Sequence, residues 1–379
     1  LRSRFLGTLG VLAIGISSGC SGGGSGTTPP VFVTAAPSTA SPTPAQSASA
    51  SPTPSPTSSP TPAPSATPSP SPSPTPVATR SVNACAQPQI AASPNAVTIV
   101  PFSTFTNTLS AGKLICFSAY VFTSDSFKAL DAAAKNGANE TVILPQEEQS
   151  EDASDANQLA ADGAQIIYDQ GSSTPPLHAK LAVVDGTAYL DGRNWDSTDV
   201  VISDTYAADF TAIENALALS PTSSTNLDTL KSNALTREAN MITSAGAGPG
   251  TTIRFMTESF STGASSVISA LEAAAQNGAT IEVCVLSSYV SGNSSEQNLL
   301  TTLKSPPYNM NVRLNPNSGS EKMTLISNQT TAWFGSSNAT STSSMASNYI
   351  DWGLTVSDPT VITSLQQYYD STFASSSQY

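Results

Sequence analysis

The chain has 379 residues, a formal net charge of −13 and a single histidine, His178. Residues 1–90 hold no Asp or Glu, so the remainder carries all 27 acidic residues against eleven basic ones, a balance of −16. Such a field argues against broad electrostatic binding of nucleic acid, which needs clustered Lys and Arg, while about 290 residues suffice for one large domain or two lobes with cores of their own.

The first twenty residues read as an export signal. Arg2 and Arg4 precede an apolar run from Phe5 to Ile16, shorter than the roughly 20 residues that span a bilayer but suited to a signal-peptide core. The run ends Ile16-Ser17-Ser18-Gly19-Cys20. A small-small-Cys ending resembles a bacterial lipobox, which makes Cys20 the expected lipidation site and places the protein on a cell envelope through a lipidated N-terminus; otherwise it is secreted. Ser17 stands where that motif usually has Leu. From 21 to 80 the repeats Ser-Pro-Thr-Pro and Ser-Pro-Ser-Pro predict a disordered, extended tether without a core.

Export permits disulfides. With Cys20 set aside, Cys85–Cys116 is the expected pair and Cys284 a buried free thiol. No Cys/His spacing suggests a metal site.

Beyond the tether the sequence repeats itself. Leu114–Tyr120, then Phe127, Leu130, Ala133 and Ala134, then Asn136-Gly137-Ala138 and Val142-Ile143-Leu144, form the first copy. Ile253–Glu258, then Val267, Ile268, Leu271, Ala274 and Ala275, then Asn277-Gly278-Ala279 and Ile281–Leu286, form the second, 141 residues on at the Asn-Gly-Ala segments. Apolar spacings of three, four and seven predict a helix between β-rich runs. Gly137 and Gly278 fall where a helix end favours a left-handed residue. Each copy is a βαβ unit, so the expected class is α/β, with two similar lobes over 86–235 and 236–379 that arise by internal duplication.

A second shared element follows each copy. His178-Ala179-Lys180 through Asp185 is succeeded by Asp191-Gly192-Arg193-Asn194-Trp195. Ser320-Glu321-Lys322 through Ser327 is succeeded by Gly335-Ser336-Ser337-Asn338. Asp185-Gly186 between β-rich runs predicts a hairpin turn. His178 and Lys180, two apart on a strand, share a face, and Asn194 returns toward it. A neutral imidazole with nearby positive charge and amide donors suits attack on a phosphodiester.

His-x-Lys, four residues, Asp, then a Gly/Ser-rich segment ending in Asn resembles the signature of the phospholipase D superfamily, whose two lobes meet at one site. The resemblance covers residues 90–379 and departs at Asp191, where that family usually has Gly. It implies a site at the lobe interface, His178 as a nucleophile forming a phosphohistidine, phosphoryl binding by Lys180, Lys322, Asn194 and Asn338, and no metal or organic cofactor. It implies a phospholipid or other exported phosphodiester as substrate. The second motif has lost its histidine to Ser320, and Ser327 or Asn328 replaces its Asp. A serine hydroxyl is a poor proton donor near neutral pH. Three readings follow: Glu321 supplies the proton, the leaving group needs little protonation, or turnover is weak. A non-catalytic anion- or phospholipid-binding lipoprotein is the alternative function, and a nuclease a more distant one.

Arg193 is a candidate phosphate contact, with Ser336 a further candidate in the surviving Gly-Ser-Ser-Asn segment. Asp185 is expected to brace its hairpin. Asp199 and Asp351 are orienting candidates or surface residues. Trp195 and Trp352 are expected in the core or a pocket wall. Leu230–Glu238 predicts a helix linking the lobes, its charges solvated.

Overall fold

A computed structural model describes residues 85–90, 97–169 and 175–379. The signal segment 1–20 with Cys20, and the tether 21–80, lie outside the described residues.

Two mixed sheets form the framework. The first holds β1 (Val97–Val100), β2 (Leu114–Ser118), β3 (Asn139–Leu144), β4 (Gln165–Tyr168), β5 (Lys180–Val184), β6 (Thr187–Asp191) and β7 (Val201–Asp204), in the order β1-β7-β6-β5-β2-β3-β4. The second holds β8 (Leu227–Leu230), β9 (Thr252–Thr257), β10 (Thr280–Leu286), β11 (Asn311–Asn315), β12 (Lys322–Ile326), β13 (Ala332–Gly335), β14 (Ile350–Val356) and a short β15 (Ser377–Gln378), in the order β8-β14-β13-β12-β9-β10-β11-β15. Apart from β15 the two orders match strand for strand. In each, three neighbours run parallel and the rest antiparallel. This is the two-lobed α/β architecture that the repeat predicts.

The βαβ units are built as their periodicity dictates. The helix Ser124–Lys135 buries Ala129, Leu130, Ala133 and Ala134, and its N-terminus is capped by Thr123, whose Oγ1 accepts from the Ser126 N–H. The helix Ser265–Gln276 buries Val267, Ile268, Leu271 and Ala274. Both stop at a glycine of positive φ, +77° at Gly137 and +92° at Gly278. Strands β5 and β6 pair through the Asp185-Gly186 hairpin, both residues at positive φ.

Three apolar clusters define the layers. One lies under the helices flanking the first sheet, around Phe105, Leu130 and Trp195. Another lies under the helices of the second, around Leu235, Leu271 and Leu300. The third is shared between the sheets and joins Leu181, Ile202 and Phe210 to Phe334, Trp352 and Tyr369. The lobes therefore share a dry core, and burial of this apolar surface fixes their relative position. Backbone bonds cross as well: His178 N–H and Ala179 N–H donate to the Ile350 carbonyl, each at 2.9 Å, and Ile350 N–H donates to Pro176 at 2.8 Å.

Strand β8 already belongs to the second sheet and the helix Lys231–Ser244 packs in that lobe's apolar cluster, so the second lobe draws on residues before 236. The charges of this helix are not a solvated face. Lys231 and Glu238 are buried, and Arg237 pairs with Asp228 at 2.6 Å. Cys85 and Cys116 form a disulfide, and Cys284 is a buried free thiol. Among the described residues no helix is long and apolar enough to cross a membrane.

Candidate functional site

His178 and Lys180 stand at the start of β5, on the same face as the alternation of a strand requires. The imidazole Nδ1 lies 3.0 Å from Asp351 Oδ2 of the other lobe. Burial opposes ionisation of Asp351, yet the His178 ring, the Lys180 ammonium and the Ser336 hydroxyl hold its carboxyl down at about 2. An ionised carboxylate only accepts, so Nδ1 carries the proton and Nε2 keeps its lone pair. Burial, and then the charge of Lys180, hold the imidazole below its ordinary value, which keeps it neutral. The ring lies between Tyr120 and Tyr349, centroids 4.9 and 5.4 Å away, and remains partly open to solvent.

Lys180 Nζ is 3.2 and 3.3 Å from the two ring nitrogens and 5.5 Å from the Tyr120 centroid. Burial lowers its pKa to about 8. Lys322, at the same place on β12, donates to the Gly192 carbonyl at 2.8 Å and pairs with Glu258 at 2.9 Å. Burial would lower Lys322, but Glu258 outweighs it and keeps the ammonium above its usual value. Against the cost of burial, Lys322 in turn holds Glu258 below the usual carboxylate range. Both lysines are 1 % exposed, and each lies within the other's electrostatic reach, so the half-sites converge.

The pairing register relates the two halves. Ile115 faces Val184 and Ile253 faces Ile326, which makes Tyr120 the counterpart of Glu258. Asp191 faces Val201 and Gly335 faces Gly353, which makes Asp199 the counterpart of Asp351. Asp351 reaches across to the opposite lobe's motif. Asp351 meets His178. Asp199 has no imidazole to hold, since the counterpart of His178 is Ser320, fully buried, its Oγ accepting from Asn315 Nδ2 at 2.6 Å. Instead Asp199 forms an ion pair with Arg193 at 2.8 Å. Neither aspartate is at the surface.

The remaining candidates divide. Asn338 Oδ1 accepts from the backbone N–H groups of Glu258 and Ser259 at 3.2 and 3.3 Å, which ties its strand end to Lys322's partner. Asn194 is half-buried with its Oδ1 unpaired, and its N–H donates to Asp199 at 3.2 Å. Ser336 donates to Asp351 Oδ1 and so steadies the carboxylate on His178. Asp185 is not brought to the site. It lies at the far end of β5, where its carboxylate accepts from the backbone N–H groups of Lys113 and Leu114. Asp191, in the place of the usual glycine, accepts from Arg193 N–H and Trp195 N–H and shapes the turn that carries Arg193 and Asn194. Glu321 points away from Ser320 and Lys322. It is fully buried, takes the Val200 N–H at 2.9 Å, and burial raises its carboxyl to about 8.

Tyr120, Tyr349 and Glu258 are the site neighbours that motif reading misses. The register of the two βαβ units was the signal for the first and third, since both follow the first strand of their unit. Among the described residues no group of three or more His, Cys, Asp and Glu side chains is placed to hold a metal ion.

No protein-family model matches the sequence, and no curated protein does. Solved structures do match. Phosphatidylserine synthase from Haemophilus influenzae aligns over 78% of this chain and 90% of its own, at 11% identity and a TM-score of 0.54. Polyphosphate kinase from Porphyromonas gingivalis aligns over 72% of this chain, at 15% identity and a TM-score of 0.50; the chain spans about half of that protein, 49%. Both matches run across the two lobes. The chain shares the two-lobed fold of these two proteins. Within that fold, the opposed ends of β5 and β12 and the strand ends after β6 and β13 form the centre between the lobes, where His178, Lys180 and Lys322 lie.

Proposed function

We propose that this protein is a phosphodiesterase that works through a phosphohistidine on His178. The observation that carries the reading is the His178–Asp351 pair across the lobe interface, with two buried lysines beside it. Asp351 fixes the tautomer, so Nε2 is the attacking atom. Lys180 and Lys322 neutralise phosphoryl oxygens in a site that excludes most water, where fixed charge acts strongly. Asn194 and Asn338 sit at the matching strand ends, placed to donate to the same oxygens. Nε2 bonds to phosphorus as the leaving oxygen departs with its electron pair. Water then attacks phosphorus, the P–N bond returns its electrons to the ring, and the surplus proton goes to solvent or the departed group.

A phospholipid or another exported phosphodiester is the substrate proposed. A lipidated Cys20 and an extended tether would hold the domain at an envelope near such substrates. The strongly acidic folded part makes a nuclease the weaker reading.

The test is acid-quench trapping of a labelled phosphodiester on His178, together with hydrolysis of an aryl phosphodiester. Label on wild type and none on His178→Ala supports the reading. A specific observation favours one competitor: Ser320 is buried and engaged with Asn315, so no second imidazole serves the site. A binding protein without turnover would take up inorganic phosphate or phospholipid vesicles in calorimetry at low salt, lose that binding in Lys180→Ala/Lys322→Ala, and never carry label.

A further inference from the structure

Register sets Glu258 beside Ser320, the counterpart of His178. Tyr120, the counterpart of Glu258, packs on His178 with ring centroids 4.9 Å apart. Glu258 meets Ser320 through the backbone: its Oε1 accepts from Ser320 N–H at 3.3 Å, while its Oε2 pairs with Lys322 at 2.9 Å. Lys180 of the opposite half-site lies within its electrostatic reach. The backbone that carries this side chain is pinned on both sides, because Glu258 N–H donates to Asn338 Oδ1 and its carbonyl accepts from Leu286 N–H, both at 3.2 Å. The Lys322 side chain is 1 % exposed, whereas that of Glu258 keeps 16 % open. A fixed carboxylate thus stands at the centre with an edge that water reaches. The other carboxylates nearby are committed elsewhere. Asp351 holds Nδ1 of His178, Asp191 accepts from the turn after β6, and Glu321 faces Gly192 and Val200. Glu147 and Glu148 lie by Tyr120, in the lobe of His178 itself.

Resting on the phosphodiesterase reading above, we infer that Glu258 is the general base of the second half-reaction, taking the proton of the water that releases the phosphoryl group from His178. A phosphoryl group on Nε2 that is also held by Lys322 turns its free side to the lobe of Lys322 and Glu258, and displacement at phosphorus runs in line. The water oxygen bonds to phosphorus while its proton passes to the Glu258 carboxylate. The P–Nε2 bond breaks, and its electrons return to a ring that keeps its Nδ1 proton on Asp351. Glu258 then gives the proton to solvent through its open edge. Burial opposes ionisation of Glu258, but Lys322 and then Lys180 hold the carboxyl below its ordinary range, so it enters the cycle ready to accept a proton. A phosphoryl anion between the two lysines raises its proton affinity for the step, as a nearby like charge does. The same ionisation bars Glu258 from being the acid that Ser320 does not supply, so its help is confined to the water step.

The experiment times the two half-reactions separately. Full-length protein is mixed with a nitrophenyl phosphodiester labelled at phosphorus. Release of nitrophenolate and label on His178 follow the first step, and decay of the label after removal of free substrate follows the second. Glu258→Gln keeps an acceptor for Ser320 N–H and Lys322 but removes the base. The expected result is label decay slower by about 10²–10⁴-fold, the usual worth of general base catalysis. Label should accumulate, its formation holding or rising because Lys322 loses a competing anion. Formate added to Glu258→Ala should restore part of the decay rate. A residue that only positions Lys322 would slow both steps alike, and that outcome overturns the inference. Unchanged decay in a Glu258→Gln that thermal melts show to be folded also overturns it. If the variants do not fold, wild type decides: a solvent deuterium isotope effect on label decay supports the base, and its absence overturns it. No label with any substrate overturns the phosphodiesterase reading, and this inference with it.

Discussion

Asp351 and Asp199 occupy the same register position in the two sheets, yet one holds an imidazole and the other a guanidinium. This asymmetry determines what repair of the second motif requires. Ser320→His alone would put an imidazole into the fully buried place of a serine, and Asp199 would still be committed to Arg193. The single variant is expected to show no gain on alkyl phosphodiesters and a loss of stability of about 1–3 kcal/mol from overpacking. Ser320→His with Arg193→Ala frees the aspartate for the new imidazole. Its rate on alkyl substrates should exceed that of wild type by about tenfold or more, toward the range of general acid catalysis. Steady-state rates for the two variants decide the matter: a gain in the single variant equal to that in the double one shows that Asp199 need not be released from Arg193.

The pH dependence of kcat/KM follows from His178 and Lys180. His178 must be neutral to attack, and its pKa is held below the ordinary value of about 6.5. The acid limb should therefore lie below that value, activity rising with pH. Lys180 must stay protonated to neutralise a phosphoryl oxygen, and its pKa is about 8. Activity should fall as pH rises through that region. Lys180→Arg keeps a charge that does not titrate, so the alkaline limb should move out of range while the rate drops, because guanidinium and ammonium do not fill one site alike. An alkaline limb unchanged in Lys180→Arg assigns that limb to another group.

Much of this site was legible in the sequence because its signals are local. His178 and Lys180 are two apart on a strand, and the Asn-Gly-Ala segments fix the offset between the lobes. The unread part depends on contacts across the fold. Asp351 is 173 residues from His178, and nothing in its own neighbourhood marks it as a partner. Arg193 reads as a phosphate contact, and only the fold shows that it pairs with Asp199 and packs on Gly319. Lys231 reads as a solvated lysine. In the fold its ammonium donates to Thr340 Oγ1 at 2.5 Å and to the Ser341 carbonyl at 3.2 Å, 5.3 Å from the Tyr349 ring centroid, so a buried charge is satisfied by a loop distant in sequence.

Asp351→Asn isolates the role of the carboxylate. The amide is close in shape, but it removes the charge that keeps Nδ1–H pointed inward and allows the ring to adopt the other tautomer. The labelling rate of His178 is expected to fall by about 10²–10⁴-fold, the upper end being the loss when the aspartate that orients a catalytic histidine is neutralised. Phosphate affinity, which depends on the lysines, should change much less. Equal losses in labelling and phosphate binding would mean that Asp351 builds the pocket rather than orienting the ring.

Glu238 links folding stability to pH. Its side chain is 1 % exposed on the helix Lys231–Ser244, and Oε1 accepts from Thr324 Oγ1 at 2.6 Å. Burial raises the carboxyl to about 8, against about 4.3 in an unfolded chain. The folded state thus retains a proton that the unfolded state releases. The contribution is complete below the unfolded value and is lost as pH rises through the folded one, with a slope on the order of 1.4 kcal/mol per pH unit inside that window. Glu140, buried and raised to about 8 in the first lobe, adds a second group of the same sign. Glu238→Gln keeps the shape and an acceptor for Thr324 without the ionisation. Denaturant midpoints should be similar for the two proteins near the bottom of the window, and the variant should be the more stable above it, with part of the slope remaining because of Glu140. Parallel stability curves for wild type and Glu238→Gln would show that the carboxyl titrates alike in the folded and unfolded chain, against this account.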